Sequence, residues 1–199
     1  TQVAAAPALP SERELLAAVR RERHIPPRVR PRLRRRANLV GDARPETLLA
    51  LGSALVVVGP GYRQGRGYFY YALPLERPED LRSLSVHDLD GDGHAEILIR
   101  VRQRTPAGSR EVLLVHSLTP RGFPRLLAVE VAREEDGKRI DTEVRFVRGG
   151  LELRARRARG FGADSWPYAQ ETSNGIEPPV LPWAERTRRY RLRAGRLTR

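Results

Sequence analysis

Hydrophobic and polar positions change their period once along the chain, near residue 37. Before it, Leu15, Leu16 and Val19 form a narrow apolar stripe at helical spacing. Ser11-Glu12-Arg13-Glu14 just upstream has the form of a capping box, in which serine accepts from the third amide and glutamate returns to the first. The pattern predicts a helix from about Glu12 to Arg23, ended by Ile25-Pro26-Pro27 because proline removes a donor and restricts the residue before it. Arg28 to Arg36 then reads as a basic extended tether.

From Ala37 onward the apolar period falls toward two and β-branched residues accumulate, which predicts strands. Ile97, Ile99 and Val101 alternate with Leu98, Arg100 and Arg102. Val112 to Val115 reads as a more buried strand, and Val144 to Val147 and Leu151 to Ala155 flank Gly149-Gly150 as a hairpin. Tyr190 and Leu192 alternate toward an Ala194-Gly195 turn, with Leu197 beyond it.

The chain also repeats itself. Asn38-Leu39-Val40-Gly41-Asp42-Ala43-Arg44-Pro45-Glu46 aligns without a gap on Asp88-Leu89-Asp90-Gly91-Asp92-Gly93-His94-Ala95-Glu96, at an offset of 50 residues. Both copies run into an apolar strand, Leu48 to Leu51 and Ile97 to Val101. A fainter third copy, Asp136-Gly137-Lys138-Arg139-Ile140-Asp141, needs a shift of one residue. These periods divide the chain into a flexible segment 1–10, a basic helix and tether 11–36, and a β-repeat domain 37–199, with repeats of approximately 37–86, 87–136 and 137–199.

The second copy carries chemistry. Calcium takes six to eight oxygens at ~2.3 to 2.6 Å, and a turn of alternating carboxylates aims several at one point. Asp88, Asp90 and Asp92 occupy positions 1, 3 and 5, Gly93 allows the sharp turn at position 6, the His94 carbonyl falls at position 7 and Glu96 at position 9. Without a cation these acids repel one another. A helix-loop-helix calcium site would require a glutamate at position 12, where this chain has Ile99 inside a strand.

The loop instead resembles the calcium β-hairpins of FG-GAP and VCBS-like repeats, over roughly residues 37–104. The resemblance implies antiparallel β-repeats, as an incomplete propeller or an open β array behind the short helix. It also implies calcium ligation by Asp88, Asp90, Asp92 and the His94 carbonyl. For Glu96 two roles stay open, ligand or holder of the turn. In the first copy the same positions read Asn38, Val40, Asp42 and Arg44, so that copy is expected to keep the hairpin and not the metal. Two plainer readings stand beside this one: a solvated Asp-Gly turn without an ion, and an ion that only stabilises the fold.

Composition narrows the setting. No apolar run approaches the ~18 to 20 residues of a membrane span, the richest stretch being Ala54 to Val58. The absence of cysteine excludes disulfides, thiolate zinc sites, cysteine catalysis and a lipidated cysteine in this form of the chain. There is no methionine and the first residue is Thr1, so the expectation is a chain freed of a signal peptide and located outside the cytoplasm, in a periplasm, on a surface or secreted. The net charge of +13 sits at the two ends: residues 11–36 hold ten Arg against three acids, residues 183–199 seven Arg against one, and the rest balances. Arginine supplies all but one of the basic residues, Lys138. That bias has a bland source in GC-rich coding, and a functional one in contact with an anionic surface.

Other candidates are weaker. Gly59-Pro60-Gly61-Tyr62-Arg63-Gln64-Gly65 lacks the spacing and the Lys-Ser/Thr of a phosphate loop and reads as a hairpin turn. Tyr68 to Tyr71 reads as a strand with one aromatic face in the core rather than a base-stacking platform. His24, His87, His94 and His116 form no metal-binding pair, and no nucleophile elbow is present. The expected function is a non-catalytic, exported, calcium-stabilised module that binds or scaffolds within a cell-envelope or surface assembly, through a protein partner or self-association. One alternative is a polyanion binder using the Arg-rich ends, with acidic glycan or anionic lipid ranked ahead of nucleic acid. The other is a calcium-stabilised hydrolase or lyase.

Overall fold

The computed structural model describes residues 8–168 and 174–199. The expected flexible segment 1–10 falls largely outside them. The chain is mainly β and divides into two compact units, Thr1–Leu73 and Pro74–Arg199.

The first unit opens with helix α1, Glu12–Glu22. Both halves of the capping box form: the Ser11 hydroxyl accepts the Glu14 amide at 3.3 Å, and the Glu14 carboxylate accepts the Ser11 amide at 2.7 Å. Past its end, Arg20 donates to the carbonyls of Pro26 and Val29 and binds the departing chain back to the helix.

Four antiparallel strands follow in sequence order: β1 (Pro31–Ala37), β2 (Glu46–Leu51), β3 (Ala54–Val58) and β4 (Tyr68–Ala72). The tether predicted for Arg28 to Arg36 is therefore in large part a strand. Its run of arginines conceals an edge strand, paired to β2 from Pro31 to Ala37 around one bulge, with Arg34, Arg35 and Arg36 exposed. The helix packs on this sheet. Leu15 and Val19 are buried against Leu49, Leu51, Val56 and Val58 of this sheet, with Tyr68 and Tyr70 packed on the same cluster. Arg34 of β1 pairs with Glu12 of α1 at 2.6 Å.

The second unit is one antiparallel meander of eight strands: β5 (Leu81–His87), β6 (Glu96–Thr105), β7 (Gly108–His116), β8 (Arg125–Glu135), β9 (Lys138–Val147), β10 (Gly150–Ala155), β11 (Thr187–Arg193) and β12 (Arg196–Thr198). It folds over on itself without closing into a barrel. Only the far end of β8 pairs with β9, while near its start Ala128 and Glu130 bond the backbone of Glu177. Leu98, Leu113, Val115, Leu127 and Val129 from the first half thus meet Leu151, Leu153, Tyr190, Leu192 and Leu197 from the second in one core. β6 is covered on both faces at its start, Leu98 facing this core while Ile97 and Ile99 are also fully buried.

The predicted strands at 48–51, 97–101, 112–115, 144–147, 151–155 and 190–197 lie within these elements. The third loop copy does not resemble the other two. Asp136 and Gly137, at φ +50° and +74°, form a two-residue hairpin between β8 and β9.

Candidate metal centre

The loop at 88–96 joins β5 to β6, which pair as a hairpin from His87↔Glu96 inward. The loop at 38–46 joins β1 to β2 in the same way, from Ala37↔Glu46. In both, the glutamate that opens the second strand is buried and turned back under the loop. Glu96 Oε2 accepts the Leu89 amide at 2.9 Å; Glu46 Oε2 accepts the Leu39 amide at 2.8 Å. The glycine at the next corner is left-handed in each, Gly91 at φ +83° and Gly41 at +86°. Asp92 accepts the His94 amide at 2.7 Å, as Asp42 accepts that of Arg44 at 2.9 Å. The offset of 50 residues seen in the sequence is thus matched by two loops that share two internal hydrogen bonds and a left-handed glycine.

They differ where a cation would sit. Carboxylate oxygens of Asp88, Asp90 and Glu96 all lie within 4.8 Å of one another. Asp88 takes the amides of Gly91 and Gly93, at 2.7 and 3.0 Å, which holds its two oxygens inward. A Cβ added to Gly91 or Gly93 would meet nothing within 4 Å, so the loop is open on its outer side. Asp92 stands apart from the three, its carboxylate on the His94 amide and 3.7 Å from the His94 ring. Burial pushes the Glu96 carboxyl up to about 7, and the charges of Asp90 and Asp92 push the same way against the pull of the Leu89 amide. An all-oxygen donor set gathered by one short loop fits a hard divalent cation such as calcium. Glu96 holds the turn with one oxygen and stands among the acids.

The first loop has Asn38 and Val40 where the second has Asp88 and Asp90, and its remaining aspartate is paired within the loop. The Arg44 guanidinium lies across Asp42 with its Nε at 3.0 and 2.9 Å from the two carboxylate oxygens, and holds that carboxyl below the usual range. Glu46 makes more backbone bonds than Glu96, adding the amides of Val40 at 3.3 Å and Gly61 at 2.9 Å.

A further concavity has buried charge in its wall. A cleft of about 570 Å³ in the second unit has Glu130, Arg133 and Glu135 in its wall, each less than a tenth exposed, beside Trp166 and Tyr168. Arg133 donates to both oxygens of Glu130, at 2.6 and 2.7 Å, and to Glu135 at 2.9 Å; its guanidinium lies 3.8 Å from the Tyr168 ring centre. Burial acts to raise the Glu135 carboxyl, but the Tyr168 hydroxyl, Arg133 and Thr105 together hold it below its usual range. Arg133 thus bridges the two carboxylates in the wall of the cleft.

Comparisons with protein-family models, with curated proteins and with solved structures find no match to this chain.

Proposed function

We propose that the chain is a non-catalytic, calcium-stabilised β-repeat module that acts by binding or scaffolding outside the cytoplasm. The observation that carries the reading is the pairing of two like-built hairpin loops, one closed by Arg44 on Asp42 and the other gathering Asp88, Asp90 and Glu96. The first loop lacks acids at the counterparts of Asp88 and Asp90, where it has Asn38 and Val40, while the second gathers acids with no cationic side chain among them, which supports an ion at the second. Weak oxygen sites in extracellular modules bind calcium at about 0.1 to 1 mM, which suits a compartment where calcium is abundant.

Thermal unfolding in millimolar calcium and in chelator tests this. If the dissociation constant lies tenfold below the free calcium, mass action contributes about 1.4 kcal/mol, or roughly 3 to 6 °C for a chain of this size. The shift should vanish in Asp90→Ala. Equal melting in the two buffers, or an undiminished shift in the variant, overturns the metal reading.

A further inference from the structure

The outer face of the last four strands is built as a two-dimensional array of arginines. β9 to β12 turn Val144, Leu151, Leu153, Tyr190, Leu192 and Leu197 to the core, so alternation puts Arg145, Arg154, Arg189, Arg191, Arg193 and Arg196 on the opposite face. The pairing register fixes the rows. Arg193 stands opposite Arg196; Arg191 opposite Gly150, which faces Val147; Arg189 opposite Glu152, which faces Arg145; and Thr187 opposite Arg154, which faces Glu143. A shallow depression of about 430 Å³ continues the last row with Arg156, Arg157 and Arg186.

Charge on this surface is not balanced from within. Nine arginines share it with Glu143 and Glu152, and those two acids are already engaged by Arg145 at 2.8 Å and Arg189 at 2.6 Å. Arg157, Arg186, Arg191, Arg193 and Arg196 form no ion pair with any acid of the described residues and are exposed. Like charges set directly opposite across a ladder destabilise the sheet, and Arg193 with Arg196 is such a pair. An external anion would offset that repulsion.

We propose that this face docks on anionic lipid headgroups at a membrane surface. The array is four strands wide, about 14 Å, with rows about 7 Å apart. A single linear polyanion would meet one row or one strand of it, whereas a plane of headgroups meets all of it. Thr187, Thr198, Gly150 and Val147 are the uncharged members of the rows, and no aromatic side chain stands among them to stack bases. The inference does not depend on the calcium loop, and its test is read without calcium.

The test is cosedimentation of the full chain in chelator with vesicles of phosphatidylcholine, and of phosphatidylcholine with about a third phosphatidylglycerol. Binding is expected to the anionic vesicles alone, and to collapse between about 0.1 and 1 M salt as the screening length falls from ~10 to ~3 Å. The triple variant Arg191→Gln, Arg193→Gln, Arg196→Gln should lower the partition on the order of 100-fold. The triple Arg13→Gln, Arg21→Gln, Arg28→Gln removes the same net charge from exposed positions of the first unit and should leave it within a few-fold. Equal loss in both triples would mean net charge alone and overturn the proposal. So would equal binding to neutral vesicles, or capture by soluble heparin as strong as by anionic vesicles. Circular dichroism of both triples at matched temperature separates lost binding from lost fold.

Discussion

Glu46 accepts the amide of Leu39 from a fully buried position, and the same carboxylate also closes on the amides of Val40 and Gly61. Removing it leaves up to three backbone donors without a partner, each costing about 1 to 3 kcal/mol when buried. Glu46→Ala should therefore destabilise by several kcal/mol, and by more than Glu96→Ala, whose partner across the loop is the single amide of Leu89. Urea unfolding of the two variants in chelator makes the comparison. A smaller loss at Glu46 than at Glu96 would contradict this account of the loops.

Calorimetric titration with calcium should find one site. Asp90→Ala should abolish it, while Asp42→Ala should leave the stoichiometry unchanged because Arg44 already occupies the Asp42 carboxylate. A stoichiometry of two that falls to one in Asp42→Ala would place an ion in the first loop as well.

The parts of the fold that could be read from sequence are those set by local pattern. Ser11 and Glu14 mark the helix start through their own hydrogen bonds, and the hairpins at Gly149 and Gly195 announce themselves by left-handed glycines at φ +80° and +71°. β1 was hidden because its arginines look like a solvated tether, and only pairing with β2 makes it a strand. Repeat boundaries drawn from the loop onward split each hairpin from its first strand, since β1 and β5 precede their loops. At the loop itself the sequence names Asp88, Asp90 and Glu96, but not that Asp92 turns toward His94. The Glu130–Arg133–Glu135 set was out of reach. Alternation puts residues 130 and 133 on opposite faces of a strand, and a bulge at Val131, which the partner strand β7 skips, brings them to the same one.

That network yields a prediction of its own. Arg133 is the shared partner of two buried carboxylates, so Arg133→Met leaves Glu135 without its cation and Glu130 with only the more distant Arg110 at 3.6 Å, and should cost roughly 3 to 5 kcal/mol. Adding Glu130→Gln to that variant should recover part of the loss. Denaturant melts of the single and the double variant decide it, and an additive further loss in the double would argue against the ion-pair origin.

Stability should also fall in mild acid through His116. Burial holds its imidazole below the ordinary value of 6.5, the Phe123 carbonyl pulling the other way, and the ring stacks on Phe123 at 4.2 Å. The unfolded chain then takes up the proton first as pH drops. This contribution is complete above about 6.5 and is lost progressively as pH falls from there through the lower, folded value. His116→Gln should flatten the part of the stability profile that lies in that interval. A profile that keeps its slope in the variant assigns the acid sensitivity to other groups.

The apolar stripe of the helix is already used within the first unit. Val19 is fully buried among Leu49, Leu51, Val56 and Val58, so α1 is part of the first unit's core and not an arm held out for a neighbour. Burying a valine side chain contributes about 1.5 to 3 kcal/mol, and Val19→Asp forfeits that and buries a charge besides. Hydrogen exchange should then rise in β2 and β3, whose residues on that face lose their cover, at any protein concentration. If α1 instead served a second copy, exchange in β2 and β3 of the unaltered chain would increase on dilution, and sedimentation would show the association that protects them.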